Sequence, residues 1–207
     1  MPKTKQQCEE IRNKMRTKIL DLSLKYFARN GFAGTKISDL AKFIGIGQGT
    51  LYSYFSTKEE LFNVIAKTIV DSNEQSLLEL KNAPISATEK IIALSNKMLK
   101  EISRDTPLAY MFILNLQLLM ESDNNSYAKK YEEKPNQILA QIIAEGQKDK
   151  TVVDGDPDEL ADLYWSMVHM LAIKKVFNNH HKSFEEMRLA RLLLNDDTIM
   201  RRYDNGK

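Results

Sequence analysis

Residues 35–62, TKISDLAKFIGIGQGTLYSYFSTKEELF, constrain this chain more than any other stretch. In 38–44 the apolar residues Leu40, Ala41 and Ile44 recur at three-to-four spacing, so a helix here buries one face. Gly45-Ile46-Gly47 interrupts it, because glycine takes backbone angles that other residues resist. Helical spacing resumes over 48–55 through Leu51 and Phe55. That leaves Gln48, Gly49, Thr50, Tyr52, Ser53 and Tyr54 largely outside. Thr57 and Glu60 then make a capping box that opens a third, longer helix.

Two short helices joined by a glycine-bearing turn form the helix-turn-helix pattern, whose second helix enters the major groove of DNA. The competing reading is an ordinary helical hairpin with its tyrosines as a packing stripe. Three observations weigh against it. The exposed residues are short and polar or carry phenolic hydroxyls, groups that reach phosphates and base edges. Two glycines in three residues destabilise a purely structural helix. Lys58 opens the next helix, where a cation opposes the helix dipole unless negative charge lies close by.

The segment GFAGTKISDLAKFIGIGQGTLYSYFSTKEELF closely resembles the N-terminal signature of the tetracycline-repressor (TetR) family of bacterial transcription regulators. The resemblance runs from about Ile19 to about Ile65. Phe27, Gly31, Thr35, Asp39, Ala41, Gly45, Gly49, Leu51, Tyr52, Phe55, Lys58 and Leu61 all fall in place. It implies DNA contacts by Gln48, Gly49, Thr50 and Ser53, phosphate anchoring by Tyr52 and Tyr54, and phosphate clamps at Thr35 and Lys58. Gln48 could read an adenine edge bidentately, and Thr50 could touch a thymine methyl or a phosphate. Gly49, with no side chain, lets the backbone approach a base. Two positions depart from the family pattern. Lys36 stands where a hydroxyl residue is frequent, giving a charged contact instead, and Gly47 replaces a frequent capping serine.

Charge follows the same division. Residues 1–70 hold 12 Lys or Arg against 6 Asp or Glu, a net of +6; residues 71–207 hold 18 against 22, a net of −4. A basic N-terminal part on an acidic body suits a protein that docks one end on nucleic acid. Arg12, Lys14, Arg16 and Lys18 cluster early in the first helix, as a solvated face or as a source of phosphate attraction. The scarcity of proline and glycine favours an all-α fold. A lone cysteine, Cys8, excludes an internal disulfide. With no signal-peptide core and no membrane-spanning apolar run, a cytoplasmic location is expected.

Helical spacing predicts a first helix over 4–29, with Ile11, Met15, Ile19, Leu22 and Tyr26/Phe27 on its buried stripe. The helix opened by Thr57 runs to about Asn82 and stops at Ala83-Pro84. Another starts at Ser86 or Ala87, and Pro107 opens the next as an N1 proline. Its run LAYMFILNLQLLM requires burial over most of the circumference. A helix over 126–149 contains Pro135, where a kink or division is expected. Asp156-Pro157-Asp158-Glu159 caps a helix, apolar on all sides from Leu160 to Phe177, whose outer face calls for a second copy of the chain. A last helix is expected over 184–194.

The expected architecture is therefore an N-terminal three-helix helix-turn-helix DNA-binding domain, 1–56, and a C-terminal helical bundle for effector binding and dimerisation, 57–207. The family resemblance implies a homodimer that represses from a palindromic double-stranded DNA operator and is released by a small effector, which the apolar regulatory helices lead us to expect to be lipophilic. The paired surface is expected in the last two helices, about 157–195. Candidates for the effector pocket are Met98, Tyr110, Met111, Phe112, Asn115, Tyr127, Tyr131, Trp165 and His169. Asn115 and His169 stand out, as polar groups on greasy helices. An activator on the same scaffold, or a helical small-molecule-binding protein without a DNA role, stays open. No nucleophile elbow, phosphate-binding glycine loop or metal-protease motif appears, and His169, His180 and His181 lack metal spacing. No enzymatic activity, cofactor, metal or membrane association is expected.

Overall fold

The computed structural model describes residues 4–104, 106–121, 126–178 and 189–199, with the backbone alone at 69, 70, 72, 115, 117–121 and 126–133. Eight α-helices account for most of these residues: α1 Lys5–Asn30, α2 Ile37–Ile44, α3 Gln48–Tyr54, α4 Lys58–Asn82, α5 Ala87–Ser103, α6 Pro107–Glu121, α7 Ser126–Lys148 and α8 Pro157–Asn178. The chain forms two compact units, Met1–Ile69 and Val70–Lys207. Their division falls inside α4, whose first turn lies at the sequence-based boundary of 56 and 57.

Local chemistry explains the helix ends. Thr4 and Gln7 make a full capping box on α1, and Ser86 and Glu89 make one on α5. At α4 the box is stretched. Thr57 Oγ1 accepts from the Glu60 N–H at 3.0 Å, but the Glu60 carboxylate reaches back one residue further, to the Ser56 N–H at 2.6 Å. Asp156 Oδ1 accepts from the N–H groups of Asp158 and Glu159 to open α8. Gly45 closes α2 in the left-handed region, with φ of 81°, and its N–H bonds to the Ala41 and Lys42 carbonyls. Pro135 lies within α7 without dividing it, since helix runs from Ser126 to Lys148.

In the N-terminal unit, Ile19, Leu24 and Phe27 of α1 are buried with Leu40, Ala41 and Ile44 of α2, Leu51 of α3, Phe55, and Leu61, Phe62 and Ile65 of α4. Phe27, Phe32 and Phe62 form an aromatic cluster with ring centroids 4.7–6.3 Å apart. The stripe expected on α1 holds only in its second half. Ile11 is exposed. There the arginines work instead: Arg12 stacks over the Tyr54 ring at 5.9 Å and Arg16 over the Phe55 ring at 5.1 Å.

In the C-terminal unit α6 lies at the centre, packed against α5, α7 and α8. Seven consecutive residues, Leu108 to Leu114, are buried, as its apolar run demands. A hydrogen bond at 3.2 Å joins the hydroxyls of Ser95 on α5 and Tyr164 on α8, both fully buried. Lys90 on α5 pairs with Glu145 on α7 at 3.1 Å. The helix expected over 184–194 is corrected. Residues 179–188 lie outside the description, while Ala190–Leu192 form a single 3-10 turn. Leu194 then makes an isolated bridge to Val152, with the Val153 N–H donating to the Leu193 carbonyl at 2.9 Å. Backbone pairing with the 151–153 segment competes with helix here and wins. Among the described residues no strand longer than this bridge occurs.

That junction depends on Gly146. A Cβ built there would stand 2.4 Å from Val152 Cγ2 and 3.2 Å from the Ala87 Cβ. Gly146→Ala is expected to destabilise the protein by about 1–3 kcal/mol through overpacking, although alanine is the better helix former. Gly49→Ala, with nothing within 4 Å of the added carbon, serves as the contrasting case and should be neutral or stabilising. Urea denaturation of the two variants measures both.

Candidate nucleic-acid interface and ligand cavity

The short helix α3 is fixed from beneath by Leu51 and, just after it, Phe55, exposed to 1% and 2%. Helical geometry then turns Gln48, Gly49, Thr50, Tyr52 and Ser53 to solvent, with Tyr54 half-buried beside Arg12. Ser53 Oγ donates to the Thr50 carbonyl at 2.7 Å. Lys36, at the N-cap of α2, is also exposed. These residues form one outward face of hydroxyls, an amide and an ammonium group, presented without an apolar neighbour on α3 itself.

Thr35 and Lys58 are placed differently from the phosphate clamps expected of them. Thr35 is buried, and its hydroxyl donates to the Gly31 carbonyl. The Lys58 ammonium donates to the carbonyls of Phe32, Ala33 and Thr35 at 2.9, 3.2 and 3.2 Å, and sits 4.6 Å from the Phe32 ring centroid. A cation in the first turn of a helix is unfavourable by dipole alone. Three carbonyl oxygens supply the compensating negative charge, so Lys58 staples the connector before α2 to the start of α4.

The C-terminal unit holds a cavity of about 670 Å³ lined by α4, α5, α6, α7 and α8. Met98, Phe112, Trp165 and His169 line it. Tyr110 and Met111 are buried in the core and do not. The side chains of Asn115, Tyr127 and Tyr131 lie outside the description. Sequence reasoning missed the α4 wall, Asn73 to Leu80, and the Lys134, Pro135 and Asn136 corner of α7. Asn73 and Asn136 lie in polar stretches, 71–76 and 132–137, so the sequence carried no local signal for them. Asn73 Nδ2, Asn136 Oδ1 and Trp165 Nε1 are buried and have no hydrogen-bond partner among the described residues. Lys134 pairs with Glu74 across the α7 and α4 walls. The His169 ring meets Phe112 edge-on, with centroids 5.2 Å apart, and burial pushes its pKa down to about 4. No cluster of three metal-ligating side chains occurs among the described residues, nor is any described helix long and apolar enough to cross a membrane.

Two outcomes follow from these placements. Lys58→Met removes the staple from a partly exposed site and is expected to cost about 1–2 kcal/mol of stability with no DNA present; chemical denaturation measures this. For His169, the unfolded chain takes up the proton first as pH falls from the ordinary 6.5 toward the folded value of about 4. Its contribution to stability is complete above that interval and drains away within it. The melting temperature of the parent protein should therefore fall more steeply across that interval than that of His169→Gln, as followed by calorimetry.

Comparison with known proteins agrees with this geometry. Residues 19–65 match the family model of bacterial regulatory proteins, tetR family. The HTH-type transcriptional regulator RutR of Escherichia coli (strain K12) is 28% identical over 155 residues, covering 72% of this chain and 69% of RutR. Among solved structures, FadR from Bacillus subtilis in complex with stearoyl-CoA aligns with a TM-score of 0.63 at 21% identity, covering 85% of this chain and 95% of that one. AibR in complex with isovaleryl coenzyme A and operator DNA aligns with a TM-score of 0.67 at 18% identity, covering 86% and 94%. The motif at 19–65, the all-α fold and the outward polar face of α3 meet in one conclusion: residues 19–65 carry the helix-turn-helix domain of bacterial regulatory proteins of the tetR family, and the chain as a whole is similar to helix-turn-helix transcription regulators.

Proposed function

We propose that this regulator is a homodimeric repressor, bound to a palindromic operator through α3 and released by a small lipophilic effector held in the C-terminal unit. The observation that carries the reading is the face of α3, where Gln48, Thr50, Tyr52 and Ser53 are exposed while Leu51 and Phe55 are buried. Residues 1–56 serve as the DNA-binding part and 57–207 as the effector-binding and dimerisation part. Gln48, Gly49, Thr50 and Ser53 read base edges, while Lys36, Tyr52 and Tyr54 meet phosphates. Thr35 and Lys58 contribute by shaping the connector that precedes α2. The protein acts in the cytoplasm, and it is not an enzyme.

The second copy is assigned to α8. Leu163, Met167, Met170 and Phe177 are 66%, 41%, 47% and 50% exposed and follow one side of the helix, opposite buried Ala161, Tyr164, Val168 and Ala172. An apolar stripe of this size on a solvated helix is a surface for association. A two-fold axis through it would present α3 twice, which matches a palindromic site. The effector would occupy the cavity whose walls include α4, and α4 begins with Lys58, so occupancy and the connector before α2 share one helix. Effector and operator would then oppose each other through a reciprocal coupling energy.

Binding to duplexes selected from a random library, measured by anisotropy against salt, tests this reading. The parent protein is expected to lose affinity steeply with salt. Gln48→Ala should cost about 1–3 kcal/mol on the selected site. Leu163→Glu combined with Met170→Glu should give monomers in sedimentation and remove two-half-site binding. Salt-independent binding, or indifference to Gln48, would overturn the proposal.

A further inference from the structure

We propose that the cavity of the C-terminal unit takes an uncharged, mainly apolar molecule bearing a carbonyl-type oxygen, an amide above all, in preference to an organic acid, an acyl-coenzyme A or an organic cation. The inference rests on the reading of this cavity as the effector site and names the chemistry that fits it. Three buried polar atoms on its lining have no protein partner among the described residues: Asn73 Nδ2 on α4, Asn136 Oδ1 on α7 and Trp165 Nε1 on α8. Buried polar groups are ordinarily paired, and here three of the unpaired ones gather at one cavity.

The indole N–H can only donate, so its partner is an acceptor. Each asparagine amide has one end that donates and one that accepts, and rotating it exchanges the two. Between them they offer a ligand both kinds of partner, and an amide carries both. The body of the molecule meets Leu77, Leu94, Met98 and Phe112, which are buried side chains.

The charges of the wall argue for neutrality. Three carboxylates, on Glu74, Glu79 and Asp162, face two ammonium groups, on Lys97 and Lys134, among the described lining residues. Lys134 is already paired with Glu74. Lys97, Glu79 and Asp162 are exposed side chains in contact with solvent. A carboxylate or a coenzyme A phosphate group entering the cavity would find no free excess of positive charge, and an organic cation would find Glu74 already paired and Glu79 and Asp162 exposed to solvent rather than buried beside it; burying an unpaired ion of either sign is costly. His169 adds no charge at neutral pH, since burial holds it uncharged.

Trp165 is the single tryptophan of the chain, so its emission reports occupancy directly. The full-length protein is titrated with decanamide, decanoate and decyltrimethylammonium, which share a ten-carbon chain and differ in head-group charge. Decanamide should shift the emission saturably and bind roughly tenfold tighter than either ion. By calorimetry, Trp165→Phe should weaken decanamide roughly tenfold while keeping the ring's packing, and Asn136→Leu should do the same at a second wall. Equal or tighter binding of decanoate or decyltrimethylammonium would overturn the inference. So would no binding of decanamide, or amide affinity unchanged in both folded variants. The two readings fail separately. Loss of the inference with salt-dependent duplex binding intact leaves the regulator standing. A preference for decanamide in a protein that ignores duplex DNA removes the effector role and leaves the cavity chemistry.

Discussion

Helices of eight and seven residues do not persist alone in water, where nucleation makes anything shorter than about 12–15 residues marginal. The helices α2 and α3 therefore stand on the burial of Leu40, Ala41, Ile44, Leu51 and Phe55 against α1 and the start of α4. With fully buried apolar side chains worth about 1.5–3 kcal/mol each, this small core outweighs what the two helices lack in length. Everything on the outer face of α3 inherits its position from that core. The helix α3 can be polar outside and rich in glycine at its start because its conformation is dictated from below.

Much of this was legible in the sequence, and the reason is local. The capping residues Thr57 with Glu60, and Asp156 with Asp158 and Glu159, lie two or three residues apart, so their geometry follows from the helix itself. Gly45 is equally local, since a left-handed residue is needed where α2 turns toward α3. Periodicity, by contrast, says which residues share a face and not what covers it. Ile11 continues the stripe of Ile19 perfectly well, yet it is exposed, while its neighbour Arg12 is the residue that meets α3 through Tyr54. The segment at 189–194 reads as an apolar helix, but its backbone pairs with residues 151–153, some forty positions away, and no local rule reports that.

The site divides in the same way. The exposure of Gln48, Gly49, Thr50, Tyr52 and Ser53 follows from Leu51 turned inward on one short helix and Phe55 turned inward just after it. The inward turn of Lys58 does not, because its partners are carbonyls at positions 32, 33 and 35 brought near by the fold. A lysine that holds a connector and a lysine that holds a phosphate look alike as letters. Likewise, the aromatic and methionine candidates for the cavity separate only by packing. Phe112 faces the cavity while its neighbours Tyr110 and Met111 face the core, a distinction made by rotation about α6 that the uniformly greasy run conceals.

The same uniformity hides the two roles of α8. Read as letters it is apolar on every side; in the fold Tyr164 and Val168 are covered while Leu163 and Met170 are not, and Trp165 and His169 turn to the cavity. A ligand shifts an equilibrium only by the difference in its affinity for two arrangements. A molecule that touched one helix would bind every arrangement of the wall equally well and shift nothing. The unpartnered atoms of the cavity belong to α4, α7 and α8, so a molecule bonded to all three discriminates between relative positions of those helices. That α4 is one of them matters most, since its first turn carries the Lys58 staple. On the proposed reading, the polar atoms that have no partner among the described residues convert occupancy into a preference for one arrangement of these helices.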